Sequence, residues 1–209
     1  MWYKLSREMP EQTDQPRSLA DEPAERGQEP VRCARLGDVF RGRDFAFSSR
    51  RLWLLSMALY HGGHPRLARL VKNLNSMLYH NALPCEVRAS PDVRLGHHGI
   101  GTVLHPKVVI GEGVKIFQNV TMAVRPTNGP NEIVIEDGAV IGANSVIMTP
   151  RHRGIRIGRG ARVGAGAVIT HDVPARTIAI SAPVELRPRR ERNRDDGFGD
   201  GIDDDDEEA

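Results

Sequence analysis

Aliphatic residues recur at six-residue steps along the middle of the chain. They fall in four runs: Val87 and Val93; Leu104, Ile110, Ile116 and Met122; Ile135, Ile141 and Ile147; and Ile157, Val163 and Ile169. Six is neither the α-helical period nor the two-residue alternation of the strands in a β-sandwich, the other fold considered. It is the period of a hexapeptide repeat, in which the chain winds as a parallel β-helix with one short strand per hexad. The sequence therefore predicts a mainly β protein, with a β-helix over residues 82–180.

The six-residue register is interrupted three times. Eleven residues separate Val93 from Leu104, and this stretch contains His97-His98-Gly99. Thirteen separate Met122 from Ile135 and ten separate Ile147 from Ile157, both with Pro and Gly between them. Extra residues must leave the regular coil, and repeat folds often carry function in such places. We expect the first interruption to carry reactive groups, and the loops at 123–134 and 150–154 to shape a ligand site.

Residues 35–81 show the helical period instead. One apolar face contains Leu52, Leu55 and Leu59; after Gly62-Gly63 and Pro65, a second contains Leu67, Leu70, Val71, Leu74 and Leu78. Gly breaks helices, whereas Pro suits a first helical turn. The pattern predicts a helical hairpin before the β-helix. Its apolar faces must be buried by each other, by the first coil or by another subunit.

The two ends of the chain have a different composition. Residues 1–34 are rich in Glu, Gln, Pro, Arg and Asp, and residues 181–209 are Arg-rich and then acidic. Such segments bury too little apolar surface to fold alone, so both are expected to be disordered. The net charge of +2 is the sum of +11 over residues 1–194 and −9 over residues 195–209.

The composition limits the kinds of partner that the chain is expected to bind. A basic body suits a phosphorylated ligand, but with 5% aromatic residues and no basic helix or stacking motif we expect no nucleic acid. No apolar run approaches the roughly 18 residues that span a bilayer, so we expect no membrane partner. The start of the chain lacks a signal-peptide core, which predicts a cytoplasmic protein. Cys33 and Cys85 form no metal-type pair and are expected to be free thiols.

Several motifs resemble the serine acetyltransferase branch of the hexapeptide acyltransferases. They are Leu95-Gly-His-His-Gly-Ile-Gly-Thr-Val-Leu-His-Pro106, Ile116-Phe-Gln-Asn-Val-Thr121, residues 157–169 and His171-Asp-Val-Pro174. The resemblance covers roughly residues 50–180. It implies a left-handed β-helix that assembles as a homotrimer or a dimer of trimers, with acetyl-CoA lying in a groove between subunits. It also implies a histidine base, a small-molecule hydroxyl acceptor and a role in cysteine biosynthesis. The family's C-terminal isoleucine is absent, so a complex with the partner sulfhydrylase is not expected.

The resemblance also assigns site residues. The family's Leu-Asp-His aligns with Leu95-Gly96-His97, which makes His97 the first candidate for the base and His98 the second. Glu86, or alternatively Asp92, would replace the missing aspartate that orients the base. Glu132 occupies the position of a second family histidine. The expected acetyl-CoA contacts are Ala123, Val124, Ala143 and Ala165, with Arg159 or Arg162 at a phosphate; no metal is expected.

A histidine base fits the chemistry independently of the family, because neutral imidazole can take an alcohol proton near neutral pH. Gly96 stands where serine enzymes have a substrate-binding aspartate, so a sugar or polysaccharide hydroxyl is the alternative acceptor. A zinc hydratase of the carbonic anhydrase type is a further alternative, but His97, His98 and His105 lack its histidine spacing. A non-catalytic trimeric scaffold is the remaining alternative.

Overall fold

A computed structural model describes residues 31–39 and 48–182 of this chain. Three helices precede thirteen strands: α1 Leu36–Val39, α2 Ser49–His61 and α3 Pro65–Tyr79. The predicted disordered stretches fall outside the described residues, apart from 31–34 and 181–182. The predicted domain boundaries stay predictions.

Both long helices begin and end where the sequence signals lie. The Ser48 hydroxyl accepts a hydrogen bond from the Arg51 N–H and caps α2. Pro65 occupies the first turn of α3, and His80 ends α3 in a left-handed conformation. No helix in the described segments is long and apolar enough to cross a membrane.

Helix α2 is the element that joins the hairpin to the first coil. Trp53 and Leu54 are fully buried, and the Trp53 indole N–H donates to the Pro84 carbonyl at 2.9 Å. Arg50 donates through Nε to the Val93 carbonyl at 2.7 Å. Helix α3 instead packs on α2 through Ala68 and leaves an apolar stripe to solvent. The stripe, named the α3 stripe below, is Leu67, Leu70, Leu74, Met77 and Leu78, each between 39% and 68% exposed.

The strands form three parallel sheets that enclose the core. The first sheet holds β1 Arg88–Ala89, β4 Val108–Ile110, β7 Ile133–Ile135 and β10 Ile155–Ile157. The second holds β2 Arg94–Leu95, β5 Lys115–Ile116, β8 Val140–Ile141, β11 Arg162–Val163 and β13 Ile178–Ala179. The third holds β3 Val103–Leu104, β6 Thr121–Ala123, β9 Val146–Met148 and β12 Val168–Ile169. Each of four coils uses one strand from each sheet.

The predicted hexads set the register of this β-helix from Leu104 onward. Ile110, Ile135 and Ile157 stack in the first sheet, Ile116, Ile141 and Val163 in the second, and Leu104, Met122, Ile147 and Ile169 in the third. All are buried. The predicted fold class, a left-handed parallel β-helix of hexapeptide repeats behind a helical hairpin, is confirmed.

The first two predicted rungs are wrong by two residues. Ala89, not Val87, pairs with Ile110, and Leu95, not Val93, pairs with Ile116. Val87 and Val93 are buried as well, because the residue two positions before each rung also faces the core. Nine residues therefore separate the rungs Leu95 and Leu104, three more than one hexad.

Candidate active site

A tight turn that carries two histidines stands at the edge between the second and third sheets. This histidine turn spans residues 96–101. His97, His98 and Gly99 have φ values of 48°, 59° and 63°. The left-handed region costs a residue with a side chain roughly 1–2 kcal/mol. Strain of this kind persists where the surroundings fix it, often at functional sites, and it marks this turn as a candidate.

Backbone hydrogen bonds hold the histidine turn from below and above. Gly101 donates its N–H to the His80 carbonyl at 3.0 Å, and Asn119 donates to the Ile100 carbonyl at 2.9 Å. Phe117 packs so closely that a Cβ on Gly96 would lie 2.8 Å from its ring. A larger residue at position 96 would displace that ring, so Gly96 serves the packing of the turn.

Both histidine side chains are exposed. The His98 ring lies 5.4 Å from the Tyr79 ring at the end of α3. Within the described residues, no ion pair or hydrogen bond joins a carboxylate to either imidazole. Either ring can exchange a proton with a ligand, and the geometry leaves both as candidates for the base.

Short residues form this edge on the two upper coils, whereas longer residues form it on the second coil. The short residues are Gly142, Ala143 and Asn144 on the third coil and Gly164, Ala165 and Gly166 on the fourth; the longer ones are Phe117, Gln118 and Asn119. Asn144 donates its N–H to the Gln118 carbonyl at 3.1 Å, and Gly166 donates to the Ala143 carbonyl at 2.8 Å. The structure thus brings the predicted contacts Ala143 and Ala165 to the same edge as the histidines. We call this edge, from the histidine turn to Gly166, the small-residue column. A thin ligand can approach the backbone of its third and fourth coils closely, because the side chains there are short.

The outer face of the third sheet forms an uncharged floor beside this column. Val103, Thr121, Val146 and Val168 are its outward residues at paired positions. Ala123 is half-buried at the end of β6, and Val124 follows it, buried at 3% exposure. Val124 therefore offers a ligand backbone atoms rather than its side chain.

Two loops stand at the opposite edge of this floor. The first loop, residues 124–132, follows β6, and the second loop, residues 149–154, follows β9. The Thr149 hydroxyl accepts the Arg125 N–H at 2.7 Å and donates to the Arg125 carbonyl at 3.1 Å. The Asn131 amide nitrogen donates to the carbonyls of Arg125 at 2.7 Å and Arg151 at 3.2 Å. The two loops are therefore joined.

The structure places the remaining predicted residues away from the histidines. Glu86 accepts a hydrogen bond from the Cys85 thiol at 3.4 Å, and burial together with that carboxylate raises the pKa of Cys85 to about 11. Asp92 accepts from Ser90 and from the Gly113 N–H. Within the single chain neither carboxylate contacts His97 or His98, so their role in orienting the base stays a prediction.

Glu132 and the two arginines predicted to bind phosphate also lie elsewhere. Glu132 pairs with Arg88 at 2.8 Å on the first sheet. Arg159 lies at the edge between the first and second sheets, 3.6 Å from Asp137. Arg162 points outward from the second sheet and is exposed. Of the two, Arg162 alone is on a sheet that borders the small-residue column.

Three polar residues at this site have roles that the sequence analysis did not predict. Asn131 and Thr149 tie the loops together, and the Gln118 side-chain oxygen is buried without a hydrogen-bond partner beside the histidine turn. A local signal existed only for Gln118, which falls in the quoted motif at 116–121. Asn131 and Thr149 act across distant segments, which no local pattern reveals.

His105, the remaining histidine of the motif, has a structural role. Its Nδ1 accepts a hydrogen bond from the Lys107 N–H at 3.1 Å. Burial and the nearby Lys107 ammonium lower the pKa of His105. In the part of the chain that the structure describes, no cluster of three or more His, Cys, Asp or Glu could hold a metal ion.

Comparison with known proteins also identifies the hexapeptide repeat of the β-helix. Residues 132–171 match the family model described as the hexapeptide repeat of succinyl-transferase. The matched stretch contains β7 to β12, the last two complete coils. The likeness to soybean serine acetyltransferase, an apoenzyme structure, has a TM-score of 0.56 at 28% identity and covers 66% of this chain and 56% of that chain.

Two curated proteins that this chain resembles are named acetyltransferases. Serine acetyltransferase of Bacillus licheniformis is 32% identical over 103 residues, 46% of each chain. The 2,3,4,5-tetrahydropyridine-2,6-dicarboxylate N-acetyltransferase of Staphylococcus aureus is 46% identical over 54 residues, 26% of this chain and 21% of that protein. The chain spans about half the length of the serine acetyltransferases it matches. The resemblance seen in the motifs is confirmed.

Proposed function

We propose that this protein is an acetyl-CoA-dependent O-acetyltransferase of the serine acetyltransferase type. The observation that carries the proposal is the exposed histidine turn at the foot of the small-residue column. Neutral imidazole can accept a hydroxyl proton, and short side chains let a pantetheine arm lie against the coils. Relatives that share these coils are named acetyltransferases.

The reaction follows from the residues at the turn. His97 or His98 takes the proton of the acceptor hydroxyl as its oxygen attacks the thioester carbonyl. The tetrahedral oxyanion that forms needs donors, which backbone N–H groups can supply. When the carbon–sulfur bond breaks, the same imidazolium returns the proton to the thiolate. Ala143 and Ala165 border the bound acetyl-CoA.

Serine and a sugar hydroxyl are the two candidates for the acceptor. Glycine occupies position 96, where the family has a substrate-binding aspartate. Glu132 stands at the position of a second family histidine and is paired with Arg88. This departure favours the sugar. The repeat shared with an N-acetyltransferase shows that these coils occur with different acceptors.

We further propose a homotrimer or a dimer of trimers in the cytoplasm, with active sites in the grooves between subunits. The uncharged outer face of the third sheet supports the assembly, because Val103 and Val168 are 45% and 64% exposed in the single chain. Apolar patches of this kind mark interfaces.

Thiol release from acetyl-CoA tests the function against serine, homoserine and a panel of sugars. Replacing the base, in His97→Ala or His98→Ala, should lower kcat about 10²–10⁴-fold, the usual contribution of a general base. The other variant should stay within a few-fold of the wild type. His171→Ala, an exposed histidine elsewhere on the β-helix, is the matched control. The proposal would be contradicted if none of the acceptors caused thiol release, or if both turn variants kept full activity.

A further inference from the structure

The outer face of the second sheet carries three cations and no acid at its paired positions. The outward residues, one from each strand, are Arg94, Lys115, Val140, Arg162 and Ile178. Arg94 and Lys115 are direct neighbours on adjacent strands, and like charges at such positions repel each other. We call this surface the cationic face. Its charge of one sign is suited to a partner of the opposite sign.

The three cations have no acidic partner among the described residues. No carboxylate there forms an ion pair with Arg94, Lys115 or Arg162. The Lys115 ammonium lies 4.5 Å from the centre of the Phe117 ring instead, a contact that leaves its charge uncompensated.

The outer face of the first sheet shows the contrast. Its outward arginines at paired positions are Arg88 and Arg156, which pair with Glu132 at 2.8 Å and with Glu136 at 2.9 Å. The same β-helix therefore neutralises the cations of one sheet and leaves those of the next sheet without acids.

The edge between these two sheets does carry acids, but they bind the backbone. Asp92 accepts a hydrogen bond from the Gly113 N–H at 2.8 Å, and Asp137 accepts one from the Glu112 N–H at 2.9 Å. These carboxylates satisfy donors of their own edge and do not pair with the cationic face.

The chain that continues from the cationic face has the complementary charge. Strand β13 is the outermost strand of the second sheet, and residues 183–209 follow it outside the described residues. Residues 195–209, named the acidic segment, contain nine acids and no Lys or Arg. Residues 183–194 can span up to ~40 Å, whereas β13 and β2 are four strand steps, roughly 19 Å, apart. The acids can therefore reach every cation of the face.

Apolar residues match as well. Ile178 and Ile180 are 65% and 75% exposed where the chain leaves the face, and Phe198 and Ile202 are interspersed with the acids of the acidic segment. A segment of the same chain has an effective concentration of about 1 mM at a surface within its reach. A few charged and apolar contacts are therefore enough to hold it.

We propose that residues 195–209 bind to the cationic face of their own chain. Their carboxylates pair with Arg94, Lys115 and Arg162, and the apolar side chains of the segment cover Ile178. This contact is independent of the proposed acetyl transfer. It neutralises a surface that borders the small-residue column.

Carbodiimide cross-linking of the full chain tests the contact, because the reagent joins a carboxylate directly to a lysine amine. Trypsin then cuts after Arg194, and mass spectrometry identifies the lysine peptide that is joined to the acidic segment. At low salt the cross-link to Lys115 should exceed that to Lys72, a lysine on α3 that is also half-buried, by about fivefold or more. High salt should remove the difference, because it screens the charges.

The variant Arg94→Gln with Arg162→Gln removes the other two cations and keeps Lys115 as the reporter. Both arginines are exposed, so the fold should be retained, with an unchanged Tm. The cross-link to Lys115 should fall about threefold or more, since the acids lose two of three partners. Arg66→Gln, an exposed arginine on α3, is the matched control and should keep the cross-link.

A second measurement follows the Lys115 amine itself. Replacing Asp by Asn at positions 203–206 removes four carboxylates and keeps the length of the chain. Lys115 should then react with an acetylating reagent about twofold faster or more, because its ion pairs are lost, whereas Lys72 should react as before. An unchanged rate at Lys115 would contradict the contact.

Three other results would overturn the proposal. The first is equal cross-linking of Lys115 and Lys72, or none at Lys115, which would leave the acids to the five arginines of residues 183–194 or to solvent. The second is a Lys115 cross-link that the double variant retains in full. The third is a cross-link that joins isotope-labelled to unlabelled chains in a mixed assembly, which would assign the cationic face to a second copy of the chain.

Discussion

At the scale of single residues, the histidine turn combines local signals with distant support. Its glycines and adjacent histidines are visible in the sequence, and two histidines in the left-handed region are unusual. What holds them there is not local: His80 lies before the first coil and Asn119 on the second. The sequence therefore points to the turn and to its two candidate bases, whereas the choice between His97 and His98 depends on where a bound acceptor lies.

His105 gives a prediction about pH and stability. Its pKa is lowered in the folded protein, so below about 6.5, the ordinary value for His, the unfolded chain binds more protons than the folded one. Stability should therefore fall as the pH falls from 6.5 through the folded pKa. His105→Asn keeps an acceptor for the Lys107 N–H and removes the titrating group. Its urea midpoint should drop less than that of the wild type between pH 7.5 and pH 5.5.

The exposed His171 supplies the comparison for that measurement. His171→Asn removes an imidazole that is not buried, and it should leave the wild-type dependence on pH unchanged. Equal loss of stability on acidification in His105→Asn and the wild type would show that His105 does not set this dependence.

At the scale of elements, the six-residue period predicted the stacked coils correctly but placed the rungs of the first coil two residues too early. The step predicts stacked strands because each coil must bury one aliphatic residue against its neighbours, and from Leu104 onward every predicted rung is paired. In the first coil the rung is Ala89 and the bulkier Val87 sits two positions earlier, equally buried. The six-residue pattern of large aliphatic side chains therefore points to Val87 instead of Ala89. The positions of the loops could be predicted from the extra residues, but not their coupling, which depends on Asn131 and Thr149.

That coupling can be tested through Thr149. Thr149→Val keeps the side-chain shape and removes the two part-buried hydrogen bonds to the Arg125 N–H and carbonyl, which should cost about 1–3 kcal/mol in the free energy of unfolding. Asn131→Ala should cost a similar amount. Because both side chains hold Arg125, a double-mutant cycle by urea unfolding should show a coupling energy of about 0.5 kcal/mol or more.

Thr177→Val is the matched control for the loop residues. Its hydroxyl donates to the Pro174 carbonyl within one exposed turn, so its loss should change the free energy of unfolding by about 0.5 kcal/mol or less. Additive effects of Thr149→Val and Asn131→Ala would indicate that the loops respond independently.

At the scale of the whole molecule, the α3 stripe is an apolar surface that the described residues of the single chain leave exposed. The hairpin was expected to be buried by its own helices, by the first coil or by another subunit. Helix α2 packs against the first coil, and α3 packs on α2 through Ala68. The residues of the stripe remain 39–68% exposed. Contiguous apolar surface of this kind marks an interface. Another subunit is the third of the expected means of covering it, in keeping with the proposed assembly of trimers.

We therefore expect the combined variant Leu70→Asp and Leu74→Asp to lower the molecular mass of the assembly, measured by light scattering after size exclusion. Two buried carboxylates without partners would oppose association at the stripe. Asn73→Asp lies on the same helix outside the stripe and is exposed, so it should keep the wild-type mass. If the stripe joins trimers, the double variant should stop at the mass of a trimer and keep its thiol-release activity, because the histidine turn and the loops lie on the β-helix. An unchanged mass in the double variant would show that the stripe is not a contact between subunits.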